Sequence, residues 1–145
     1  MKRKNQILLA EIILYVADQQ KSTTFYSLVL NITPHLNVPG MTEFVLSENL
    51  KLGLMPEADI AKILLDKTPH PHSGSGIPRC ELYLYTDNID EIFKLSIKAG
   101  AKEISSIQKR DWGDTVGYVA DPDGHVIAFV GKDDSLFTSK EAING

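Results

Sequence analysis

Glu11-Ile12-Ile13-Leu14-Tyr15 and Glu81-Leu82-Tyr83-Leu84-Tyr85 stand 70 residues apart and govern the reading of the rest of the chain. Each is short, rich in β-branched and aromatic residues, and alternates its side chains between two faces as a strand does. Glu11, Ile13 and Tyr15 share one face, opposite Ile12, Leu14 and Val16. Glu81, Tyr83 and Tyr85 likewise oppose Leu82 and Leu84. The all-aliphatic faces are expected to pack on helices, which turns the Glu–Tyr faces toward a cleft.

The segments downstream of the two stretches also repeat. After a strand over residues 11–17, Asp18 opens a helical segment with Phe25, Leu28 and Val29 at i, i+3, i+4 spacing. Residues 31–40 read as a loop. Residues 42–46 and 50–55 form a hairpin about Ser47-Glu48-Asn49, and Pro56 starts a short helix to about Leu65. In the second copy, Asp87 or Asn88 caps a helix whose stripe is Ile89, Ile92, Phe93 and Ile97, and Gly100 stops it. A strand over 103–108 precedes a hairpin of 115–120 and 125–130 about Asp121-Pro122-Asp123-Gly124. Leu52-Gly53-Leu54 then lies over Ile127-Ala128-Phe129. Each half reads strand–helix–strand–strand with room for one more strand, which makes an internal repeat.

The boundaries follow from composition. Residues 68–78 hold Pro69, Pro71, Pro78, Gly74 and Gly76 and read as a linker. Module one therefore covers about 8–67, module two about 79–131, and 132–145 is a polar tail, within one domain of 145 residues. Glu11 ends the apolar run Ile7-Leu8-Leu9-Ala10 too early for a signal peptide, and no stretch is long enough to span a membrane. Fifteen Lys+Arg against nineteen Asp+Glu give a net charge of −4, which disfavours nucleic acid as a partner. The single cysteine, Cys80, excludes an internal disulfide and fits a reducing, cytoplasmic setting.

Three features together resemble the vicinal oxygen chelate superfamily of glyoxalases, bleomycin-resistance proteins and extradiol dioxygenases. They are Leu14-Tyr15-Val16-Ala17-Asp18 followed by Ser22 and Phe25-Tyr26; Trp112-Gly113-Asp114 leading into Asp121-Pro122-Asp123-Gly124 and a last apolar strand; and the repeat itself. The resemblance covers roughly residues 8–131. It implies an α+β fold of two paired βαβββ modules forming an open cleft, with a small-molecule ligand between the modules and a homodimer as the assembly. It also implies metal ligands at four positions, which here are Glu11, Gly53, Glu81 and Ala128. Glycine and alanine bring no donor, so only Glu11 and Glu81 could hold a divalent metal, against the three or so ligands a catalytic ion needs. No cofactor is therefore expected, beyond a weakly held magnesium or manganese ion on those two carboxylates.

Read without the family, Glu11 and Glu81 are a candidate acid–base pair, since two carboxylates in proximity raise one pKa. They could equally be solvated strand ends, or paired with Arg79 or Lys51. Tyr15, Tyr83, Tyr85 and Trp112, with the small residues Gly53 and Ala128, are the expected ligand-binding set. Trp112 either stacks on a planar ligand or packs between strands. His70-Pro71-His72 could pinch a metal but has no third ligand nearby in sequence. His125 is expected at an exposed turn, Cys80 to be buried and inert, and Phe44 and Tyr118 to occupy equivalent hairpin positions in the core. The expected function is small-molecule binding of the bleomycin-resistance type without the full metal site. The alternatives are a glyoxalase-like lyase or isomerase, using a degenerate metal site or a Glu11/Glu81 acid–base pair, and a cleft recruited for regulation or protein contact.

Overall fold

The computed structural model describes residues 5–131. Its contacts divide the chain into two compact units that part between Ser75 and Gly76. The polar tail and the basic residues 1–4 lie outside the described residues.

The first unit comprises β1 (Ala10–Val16), α1 (Gln19–Leu30), β2 (Leu36–Val38), β3 (Met41–Ser47), β4 (Leu50–Pro56) and α2 (Glu57–Leu64). Asp18 caps α1, its side chain accepting from the Lys21 amide at 3.0 Å. The sheet order is β1-β4-β3-β2. β1 and β4 are parallel, so the chain must cross over between them through α1. The region read as a loop holds the short edge strand β2, whose three residues pair with β3. Three residues carry too little hydrophobic pattern to signal a strand, and this is the additional strand for which the repeat left room.

The second unit repeats the plan with β5 (Glu81–Thr86), α3 (Ile89–Lys98), β6 (Lys102–Lys109), β7 (Thr115–Ala120) and β8 (Val126–Gly131), ordered β5-β8-β7-β6. Asn88 is the cap of α3: it accepts from the Glu91 amide at 3.2 Å and donates to the Glu91 carboxylate at 2.9 Å. β5 and β8 are again parallel. These are two four-stranded βαβββ modules with helices, an α+β fold.

Pairing assigns the faces. In the first sheet Leu14, Val16, Leu52, Leu54, Thr42 and Phe44 are buried, and α1 adds Phe25, Tyr26 and Val29. In the second, Leu82, Ile127, Phe129 and Val119 are buried, as is Phe93 of α3. Gly117 permits the approach of α3, since a Cβ there would meet the Phe93 ring at 2.7 Å. Two expectations need correction. Phe44 pairs with Leu52 on the helix side, whereas Tyr118 pairs with Ala128 on the other face, so Glu43, the partner of Gly53, stands where Tyr118 does. Cys80 is exposed, because it precedes β5 and strand alternation does not govern it.

Gly117→Ala should therefore destabilise the fold by about 1–3 kcal/mol, the usual result of overpacking a core. Gly74→Ala, with nothing within 4 Å of the new carbon, should stay within about 0.5 kcal/mol of the parent. Urea melts of the two variants would check the pair.

Candidate functional site

On the non-helical face of the first sheet, register sets Ile13, Gly53, Glu43 and Leu36 in one rung across all four strands. Glu11 and Lys51 pair one position outward. Gly53 does not leave an empty slot. The Glu11 carboxyl fills the space above it, so that a Cβ on Gly53 would lie 2.5 Å from Glu11 Oε2 and 3.1 Å from Ile13 Cγ1. Lacking a side chain, β4 lets the Glu11 side chain reach across from β1 toward β3.

There Glu11 meets a carboxylate that sequence reading missed. Glu11 and Glu43 are close enough for each acid to act on the other through hydrogen bonding and like charge. The Glu11 Oε2 atom is buried and has no hydrogen-bond partner among the described residues. Lys51 Nζ lies 3.6 Å from Glu43 Oε1. Burial first, then the hydrogen bond and charge of Glu43, push the Glu11 pKa above its ordinary 4.5, against the pull of Lys51. The alternation that puts Glu43 on this face was visible in the sequence. Its pairing with Gly53 depends on a hairpin register that turn residues alone did not set. Glu81, the matching acid of the second unit, is exposed. Tyr15 is partly exposed on the Glu11 face.

The second sheet carries aromatic chemistry at the corresponding rung. Tyr83 pairs with Ala128, and Ala128 with Tyr118. Tyr83 and Tyr118 pack against buried Val116, Ala128 and Val130. The Tyr83 hydroxyl donates to Asp114 Oδ2 at 2.6 Å and accepts from Trp112 Nε1 at 2.9 Å. Burial first and then Asp114 raise the Tyr83 pKa to about 12. The Tyr85 ring meets that of Tyr83 edge-on at 5.6 Å. Trp112 is 59% exposed, so it does not pack between strands; one edge is tethered and its faces are largely open. The turn is held by Arg110, which donates to the Val116 carbonyl at 2.8 Å and lies 5.1 Å over the Tyr118 ring.

The implied metal does not fit the four positions carried over from the resemblance. Gly53 and Ala128 offer no donor, so at most two of the four positions bring a ligand, fewer than a catalytic ion needs. Two other groups bear on metal. Ligand atoms of Asp121, Asp123 and His125 lie within 4.8 Å of one another, and His125 is half-buried rather than exposed. Asp121 Oδ1 there accepts the amides of Asp123 and His125 at 2.9 and 2.8 Å, which holds the turn. His72 Nδ1 lies 3.7 Å from the buried Glu57, a neighbour invisible in the local sequence.

Modules of this kind are found in known proteins. The chain matches the Glyoxalase/Bleomycin resistance protein/Dioxygenase superfamily over residues 8–129, and it belongs to that family. An uncharacterized protein of Mycobacterium tuberculosis is 28% identical over 115 residues, covering 77% of this chain and 67% of the relative. A glyoxalase-related enzyme from Fulvimarina pelagi shares the fold with a TM-score of 0.73 at 20% identity, over 88% of both chains. A hypothetical protein of S. aureus superimposes with a TM-score of 0.75 at 17% identity, over 89% of this chain and 97% of that one. Among the described residues no helix is long and apolar enough to cross a membrane.

The raised Glu11 pKa has a defined sign. The fold favours the protonated acid, so this stabilisation is full below about pH 4.5 and is lost as the pH rises through the folded value. Glu11→Gln, which cannot ionise, should flatten that decline. Urea unfolding at pH 4.5 and 7.5 would show it, and an unchanged slope would refute the assignment. For Tyr83, ultraviolet titration should find one tyrosine ionising near pH 12, and Asp114→Asn should bring it down.

Proposed function

We propose that the chain binds a small, partly aromatic molecule and works without the family's metal centre. The observation that carries this reading is the Glu11 carboxyl lying over Gly53, where the resemblance expects a metal ligand. The Trp112 ring supports an aromatic ligand. An indole already tethered through its N–H loses little freedom when a planar molecule stacks on it. Tyr83 and Tyr85 extend the same face. A homodimer in a cytoplasmic setting belongs to the same reading.

A second reading is favoured by one specific observation, the proximity of the Glu11 and Glu43 carboxyls. A carboxyl whose pKa is raised by burial and by a second carboxylate is a candidate to give and take a proton, as a lyase or isomerase requires. In this reading Glu43 takes the part of proton partner that the sequence assigned to Glu81.

Metal analysis of protein purified without a chelating tag separates the readings from a metalloenzyme. The expected content is well below one equivalent, and stoichiometric metal that is lost in Glu11→Ala would overturn the metal-free reading. Binding is followed through Trp112, the chain's one tryptophan. A panel of planar aromatic compounds should include some that quench its emission saturably. A compound at a hundred times its Kd should add about 2.7 kcal/mol of stability. The same compound should bind Trp112→Ala at least about tenfold more weakly, and equal binding would remove the stacking role.

A further inference from the structure

The first unit also holds an open pocket of about 820 Å³ where the ends of β1 and β4 meet α1 and the β2–β3 turn. None of Glu11, Glu43, Gly53 and Lys51 lines it. Its volume falls within the range of small-molecule sites, roughly 300–1,000 Å³.

The walls are fixed by a side-chain network. Gln19 Nε2 donates to the Val38 carbonyl at 2.8 Å and to Thr42 Oγ1 at 2.9 Å, and its Oε1 accepts the Gly40 amide at 2.9 Å. The Gln19 amide is thus a strut. Thr42 is fully buried and gives its only hydroxyl proton to Asn37 Oδ1 at 3.1 Å. The 2.9 Å contact between Thr23 and Thr42 must then carry the Thr23 proton. This ordering leaves Thr23 Oγ1 as an acceptor and Asn37 Nδ2 as a donor, both on residues that line the pocket. Gln20 and Thr24 add groups able to do either, and Val38, Pro39 and Pro56 supply apolar surface. The end of α1 is already capped by Asp18, so recognition falls to these side chains.

Charge narrows the ligand. No Lys, Arg or His lines the pocket, and its one ionisable group is the acid Asp18. Phosphates and carboxylates would be repelled without a counter-charge. Alternating donors and acceptors beside apolar patches suit hydroxyl groups on a carbon skeleton, since each hydroxyl both gives and accepts. We propose that this pocket is a binding site for a neutral polyhydroxyl molecule, a sugar or sugar-like polyol, distinct from the sheet faces described above.

Amide-resolved NMR titration of the full chain with maltose and with myo-inositol tests this, with sodium sulfate as the anionic control. The expected result is a saturable shift of the Gln20, Thr24 and Asn37 amides with at least one polyol and none with sulfate. Gln20→Ala and Thr24→Val, both at helix positions facing the pocket, should each weaken that binding about fivefold, as the loss of one hydrogen bond implies. Thr24→Trp should fill the pocket and abolish it. The proposal fails if neither polyol gives a saturable shift, if the shifts fall on β1 and β4 instead, if the Gln20 and Thr24 variants bind like the parent, or if sulfate saturates the same amides. Since the probes carry no aromatic ring, Trp112 emission should stay constant, which keeps the outcome separate from the aromatic-ligand reading.

Discussion

The parallel pairing of first and last strands is the constraint on which each unit depends. Hydrogen bonds between β1 and β4, and between β5 and β8, oblige the chain to leave the sheet, form a helix and return through a hairpin. One register then does two things. It gathers Leu14, Val16, Leu52 and Leu54, and in the second unit Leu82, Ile127 and Phe129, onto the helix-covered faces. It also sets the rungs Ile13–Gly53–Glu43 and Tyr83–Ala128–Tyr118 on the opposite faces. A slip of one residue would exchange core and site together.

The two rungs share geometry and differ in chemistry. In the first unit a missing side chain on β4 lets two acids meet across it, with a lysine beside them. In the second, Ala128 leaves room for Tyr83 and Tyr118 to settle against Val116 and Val130, and the tyrosine hydroxyl joins an aspartate to an indole. One plan thus carries a pair of neighbouring acids in one half and a cluster of aromatic rings in the other. Both sets of groups are held by strands rather than by long loops, apart from the Trp112 turn, which Arg110 ties to β7.

Much of the fold could be read from residues because its signals are local. The offset copies of Glu-x-x-Leu-Tyr, the caps Asp18 and Asn88, and the Asp121-Pro122-Asp123-Gly124 turn each act within a few positions. The alignment of Gly53 with Ala128 also agrees with the strand pairing, since each faces the third residue of its unit's Glu-led stretch. What escaped depends on contacts between distant residues. Glu43 became visible only when the β3–β4 register put it beside Gly53, and Glu57 only when the turn at residues 71–74 brought His72 near it. The faces of Phe44 and Tyr118 were confused for the same reason, because adjacent positions in a strand are indistinguishable by composition alone. Cys80 failed in another way, through alternation extended one residue beyond its strand.

The carboxyl lodged above Gly53 bears on how this sequence can change with time. Any side chain introduced at that position must displace Glu11 from Glu43 and push against Ile13. A substitution that put a metal-binding side chain there would separate the acid pair while Ala128 still lacked a donor. Positions 11, 43 and 53 are therefore expected to substitute as a linked set. Single substitutions at any one of them should be tolerated less well than matched changes at all three, which gives this corner of the sheet a ratchet-like persistence.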